Sequence, residues 1–136
     1  MAIKNKKQLK RELKRNQVKL AYLFGSQARG DAHQESDVDI AVLFDREVNS
    51  DEYLKKEGYL ISLFSNLYPK KEINIVNLNI ASPLLKQSVR LEGQPIFIQN
   101  RDEEIMFQIK TLREYEEYCH LSYIYNQYLN QRIKNL

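Results

Sequence analysis

Apolar and polar positions along this chain alternate between a strand period and a helix period, and the changes of period mark out the elements. Leu20–Phe24 and Ile40–Phe44 are short apolar runs with the length and composition of buried strands. Asp51–Leu67 carries Leu54, Leu60, Ile61, Phe64 and Leu67 at helical spacing, is weakened slightly by Gly58, and closes before Pro69. Glu72–Leu78 reads as another strand. Ser82-Pro83 sets an N-cap before a proline at the first helical position, and Gly93 is placed to end that helix. Pro95–Ile98 predicts a short edge strand. Near the N-terminus, Leu9 and Leu13 give a first helix a thin apolar stripe. The series predicts an α/β (α+β) fold: a small mixed sheet with helices mainly on one face.

Asp102 is the expected cap of a long final helix running to about Lys134. On it Ile105, Ile109, Leu112, Cys119 and Tyr123 lie near one face, while Tyr115, Tyr118, Tyr125, Tyr128, Leu129 and Ile133 broaden the apolar surface. Thirty residues of helix extend roughly 45–50 Å, more than a domain of this size covers. The first half is expected to pack on the core and the tyrosine-rich second half to meet a partner protein. The chain therefore divides into a domain over residues 1–100 and a helical tail over residues 101–136.

Composition narrows the class. With 136 residues, 43% of them hydrophobic, one core is sustainable and two are not. No apolar run approaches the roughly 18–20 residues of a membrane span, and the basic N-terminus leads into no signal region. A single cysteine, Cys119, excludes an internal disulfide, so a cytoplasmic protein is expected. His33 and His120 stand apart, giving no zinc pattern. Net charge is only +3, but eight lysines and arginines crowd the first twenty residues against one acid, Glu12. This basic helix lacks the interleaved aromatics that stack on bases, so nucleic acid is not the expected partner.

Chemistry concentrates between the first two strands. Asp37 and Asp39 are two apart in an extended run, hence on one face and roughly 6.6 Å apart at about 3.3 Å per residue. At that distance two carboxylates repel by roughly 2–3 kcal/mol at an effective dielectric of about 20. A divalent cation turns that repulsion into a binding site, and Mg²⁺ favours one or two carboxylates plus substrate phosphates. Gly25 permits a tight exit from the preceding strand and a close approach that a side chain would block. Ser26 can cap the short Gln27–Arg29 turn, whose free N–H groups suit an anion. Phosphate on the turn and metal on the acids make a site for a nucleotide triphosphate, with the Asp pair expected to be exposed at the sheet edge.

At these residues the chain resembles a known group. Leu23-Phe24-Gly25-Ser26-Gln27-Ala28-Arg29-Gly30-Asp31, followed by Ser36-Asp37-Val38-Asp39-Ile40-Ala41-Val42, looks like the minimal nucleotidyltransferases of the DNA polymerase β superfamily, which act as antitoxins beside HEPN-domain ribonuclease toxins. The resemblance is densest over residues 18–45 and continues through Ile73–Leu78 and Ser82–Ile98. It implies a polymerase β-like nucleotidyltransferase fold. It also implies transfer of AMP from ATP to a tyrosine of a HEPN toxin held in a hetero-oligomer. In that scheme Asp37 and Asp39 bind Mg²⁺, Gly25 and Ser26 hold phosphates, and Arg29 offsets charge on the leaving pyrophosphate.

One position departs from the pattern. The family usually carries a third carboxylate on the strand that here reads Glu72-Ile73-Asn74-Ile75-Val76-Asn77-Leu78, and Asn74 takes its place. Asparagine offers a carbonyl oxygen but neither charge nor a proton-accepting site. Glu72, expected on the face of Asn74, is a partial substitute. The alternative reading is therefore an antitoxin of weakened chemistry that neutralises its toxin by direct binding. A third, drawn only from the basic first helix, is nucleotide transfer to an RNA end.

Overall fold

The computed structural model describes residues 6–25 and 37–136. Helix α1 (Lys6–Arg15) leads into β1 (Val18–Phe24), which pairs antiparallel with β2 (Val38–Phe44). A single 3-10 turn over Ser50–Glu52 opens α2 (Tyr53–Leu67). β3 (Ile73–Asn77) then pairs parallel with β2. α3 (Pro83–Glu92) crosses to β4 (Gln94–Ile98), which pairs antiparallel with β1. α4 (Arg101–Lys134) ends the chain. The sheet order is β3-β2-β1-β4, so β1 and β2 are the inner strands. The α/β class and the mixed sheet stand as expected.

The helices do not lie mainly on one face. Leu9 and Leu13 of α1 and Leu60, Leu63 and Phe64 of α2 pack with Val38, Ile40, Val42 and Phe44 on one side of the sheet. Val89 of α3 and Phe107 of α4 pack with Leu20, Tyr22, Ala41 and Leu78 on the other. The reason is visible in β1 and β2, which are apolar at consecutive positions: a strand of that kind must be covered on both faces. The second face takes the α3–α4 pair because β3 and β4 are opposite edges, so α3 has to span the sheet.

Local chemistry explains the helix ends. The Ser82 hydroxyl accepts from Leu85 N–H at 3.2 Å, and Pro83 opens α3 as predicted. α4 is capped by Asn100, whose side-chain oxygen accepts from Glu103 N–H at 2.9 Å; Asp102, the expected cap, lies inside the first turn with Glu103 and Glu104, where the macrodipole favours acids. In α2, Leu54 and Ile61 are exposed, and the inward stripe is Leu60, Leu63 and Phe64.

α4 also turns the other way from expectation. Ile105, Ile109 and Leu112 face solvent, while Phe107 and Thr111 are buried, Phe107 stacking on Tyr22 with centroids 5.7 Å apart. The helix is apolar on two sides, so periodicity alone did not choose which side packs. Lys86–Glu114 at 2.8 Å and Arg90–Gln108 at 3.4 Å hold α3 and α4 antiparallel. α4 therefore returns across the sheet towards the β3 edge, and past Glu114 it leaves the domain. Tyr118, Tyr125 and Leu129 continue the line of Phe107 and Thr111 but are exposed.

Candidate active site

Strand ends and pairing register build the site. Asp37 and Asp39 flank Val38, which is buried on the opposite face against α1 and α2. That buried valine fixes the register, because a slip of one residue would put both acids into the core. The pair stands at the start of an inner strand, not at the sheet edge as its sequence context suggested. Asp37 is exposed and Asp39 half-buried. The antiparallel pairing sets Phe24 opposite Asp39, which delivers Gly25 to the acids as β1 ends.

Gly25 has φ +75°, a left-handed conformation that favours glycine. A Cβ there would lie 2.5 Å from Asp39 Oδ2. Both expected reasons for this glycine, exit geometry and close approach, are present. Ser26 and Arg29 lie outside the described residues, as do the capped turn over residues 27–29 and His33. His120 is exposed on α4, well along the tail.

The parallel register sets Asn74 opposite Asp39. Its side-chain nitrogen donates to Asp39 Oδ1 at 3.1 Å and reaches Asp37 Oδ2 at 3.5 Å. The two carboxylate oxygens thus converge on one point. Pattern alignment placed Asn74 at this position but did not reveal that it joins both acids, because cross-strand register is not a property of either segment alone. Glu72 is exposed and makes no side-chain hydrogen bond or ion pair among the described residues; its carbonyl oxygen accepts from Val38 N–H at 2.8 Å. Asn77 is buried, and its Oδ1 accepts from Asn79 N–H at 2.9 Å, a structural role away from the acids.

The donor set suits a hard divalent cation. Two carboxylates present convergent oxygens, and Asn74 can add a carbonyl oxygen by turning its amide. No group of three acidic, histidine or cysteine ligands occurs among the described residues, so further ligands would come from phosphate and water. A cavity of about 350 Å³ lies at the other end of β2, between Lys19, Phe44, Lys86, Phe107 and Lys110. Its acids are already engaged: Glu103 holds Lys19 at 2.6 Å and Glu114 holds Lys86. The Glu103 hydrogen bond is the main cause of a raised Lys19 pKa. The carboxylate pair joined by Asn74, not this cavity, marks the candidate centre.

A four-stranded mixed sheet with a carboxylate pair opening an inner strand beside a glycine turn defines a nucleotidyltransferase class of protein. Residues 7–102 match the Polymerase beta, Nucleotidyltransferase family, and the chain belongs to it. Two relatives are each named protein adenylyltransferase MntA. The one from Shewanella oneidensis is 31% identical over 99 residues, covering 73% of this chain and 67% of that protein. The one from Aphanizomenon flos-aquae is 32% identical over 103 residues, covering 70% and 67%. Among solved structures, a toxin–antitoxin crystal structure with AMP-PNP superposes with a TM-score of 0.67 at 26% identity, over 96% of this chain and 99% of that one. A complex of tri-AMPylated Shewanella oneidensis HEPN toxin with MNT antitoxin gives 0.61 over 94% and 95%, and at 23% identity shows the fold alone. Among the described residues no helix is long and apolar enough to cross a membrane.

Proposed function

We propose that this protein is the antitoxin of a HEPN ribonuclease toxin and silences it by transferring AMP from ATP to a toxin tyrosine. The observation that carries this reading is the convergence of Asp37 and Asp39 beside Gly25, at the start of an inner strand and with Asp37 exposed. The adenylyltransferase relatives and the toxin–antitoxin complex with a bound ATP analogue support the same reaction class.

In the reaction the tyrosine oxygen bonds to the α-phosphorus of ATP, the bond from that phosphorus to the bridging oxygen breaks, and pyrophosphate leaves. Asp37 and Asp39 would hold Mg²⁺, which supplies charge neutralisation at the triphosphate. Of the three polar side chains that meet here, only the two aspartates can take the phenol proton, since Asn74 accepts none. Gly25 and Ser26 would receive phosphate oxygens, and Arg29 would offset charge on the departing pyrophosphate. Catalysis then comes mainly from positioning and electrostatics. Residues 1–100 serve as the transferase domain, and the tail from residue 101 packs on it and on the toxin. The chain's setting is the cytoplasm, where ATP and a ribonuclease's RNA substrates are found together.

Asn74 favours a second reading, in which the chemistry is weak and the toxin is neutralised by occlusion. Intact mass spectrometry of a HEPN toxin co-expressed with this chain separates the two. One or more added AMP groups support the transferase; an unmodified toxin in a stable complex supports the binder.

A further inference from the structure

We propose that Asn74 is an amide latch that stands in for the cation between Asp37 and Asp39, so that a divalent ion enters only by turning this side chain. The inference rests on the transferase reading for its nucleotide half alone; the cation half stands on geometry. Both carboxylates are acceptors only, so the side-chain group facing them must be the NH₂, which reaches both at 3.1 and 3.5 Å. The parallel register fixes Asn74 opposite Asp39, and the Gly25 backbone closes against the other oxygen of the same carboxylate. Glu72, the acid just before β3, is exposed and has no side-chain partner among the described residues. Among the described residues, Asn74 is the side chain that bridges the pair.

Two consequences follow for this chain's own residues. With no cation present, the amide's hydrogens hold the acids together and keep the centre assembled. With a cation present, those hydrogens would point at a positive charge, so Asn74 must rotate and offer its carbonyl oxygen. The free ion then meets two charged ligands and a displaced latch, and binds weakly. An ion that arrives with a triphosphate brings its own anionic oxygens and binds well. The latch thus selects the metal–nucleotide complex over the bare ion.

The test is Mn²⁺ binding to the full chain without nucleotide, by calorimetry or electron paramagnetic resonance, with melting curves in chelator and in saturating Mg²⁺. Asn74→Asp should bind Mn²⁺ at least tenfold more tightly than the parent. Asn74→Ala should melt lower in chelator, and Mg²⁺ should raise its Tm by more than it raises the parent's. An Asn74→Asp affinity within twofold of the parent, or an Asn74→Ala loss that Mg²⁺ does not recover, overturns the latch. Absence of AMP on the toxin would count against the transferase reading while leaving these binding values unchanged, so the two ideas fail separately.

Discussion

A methyl group placed on Gly25 would stand 2.5 Å from Asp39 Oδ2, inside any tolerable contact. Glycine is required here twice over, since φ is +75° as well. Gly25→Ala should cost about 1–3 kcal/mol through the left-handed backbone. It should also push Asp39 off Asn74 and lower AMP transfer by about two orders of magnitude, as a displacement of about 1 Å does in positioned chemistry. Thermal melts and toxin labelling check the two effects separately.

Charge removal at the pair should separate function from stability. Asp37→Asn with Asp39→Asn leaves Val38 buried and the register intact, so the fold should persist. Relief of repulsion at a partly exposed pair is worth about 1 kcal/mol at most, so Tm should hold or rise slightly. Labelling of purified toxin with AMP should vanish. Undiminished labelling by the double variant would remove these acids from the mechanism.

Truncation probes the tail. Past Glu114, which pairs with Lys86, every large apolar residue from Tyr118 onward is at least 37% exposed. Ending the chain after Glu117 should therefore change the melting temperature by only a few degrees. Co-purification of the toxin should be lost, because the tail's tyrosines are the proposed contact. Size-exclusion chromatography of the co-expressed pair reads the outcome, and a complex that survives truncation would move the interface elsewhere.

Tyr22 predicts an alkaline limit. Its ring is buried on Phe107 and its hydroxyl has no hydrogen-bond partner among the described residues. Burial, with a smaller contribution from Glu104, raises its pKa to about 12 from 10.0. A raised folded-state pKa gives stability that is complete below pH 10 and is lost as pH climbs towards 12, since the unfolded chain ionises first. Tyr22→Phe should flatten that loss. It should also be neutral or stabilising by about 1 kcal/mol at pH 7, because an unsatisfied buried hydroxyl disappears. Denaturant melts from pH 7 to 11 are the check.

Much of the site could be read from local chemistry. Gly25, Asp37 and Asp39 announce themselves because a tight turn and a same-face carboxylate pair depend on residues adjacent in the chain. Ser82, Pro83 and the β1 and β2 runs were equally legible, with strands only two residues longer than the apolar runs. Asn100 displaced Asp102 as the α4 cap because both residue types cap well and only the backbone geometry selects one.

By itself, then, the sequence determined which segments are strands and helices, where the chain turns, and which carboxylates pair, since each follows from neighbours within a few positions. Tertiary structure alone decided that both sheet faces are covered and that Phe107, not Ile105, turns α4 inward. It alone brought Asn74 across from β3 to join the two acids. Those outcomes depend on packing and register between different elements of the chain, 35 residues apart for Asn74 and Asp39, where one segment's local pattern allows several partners and burial selects one.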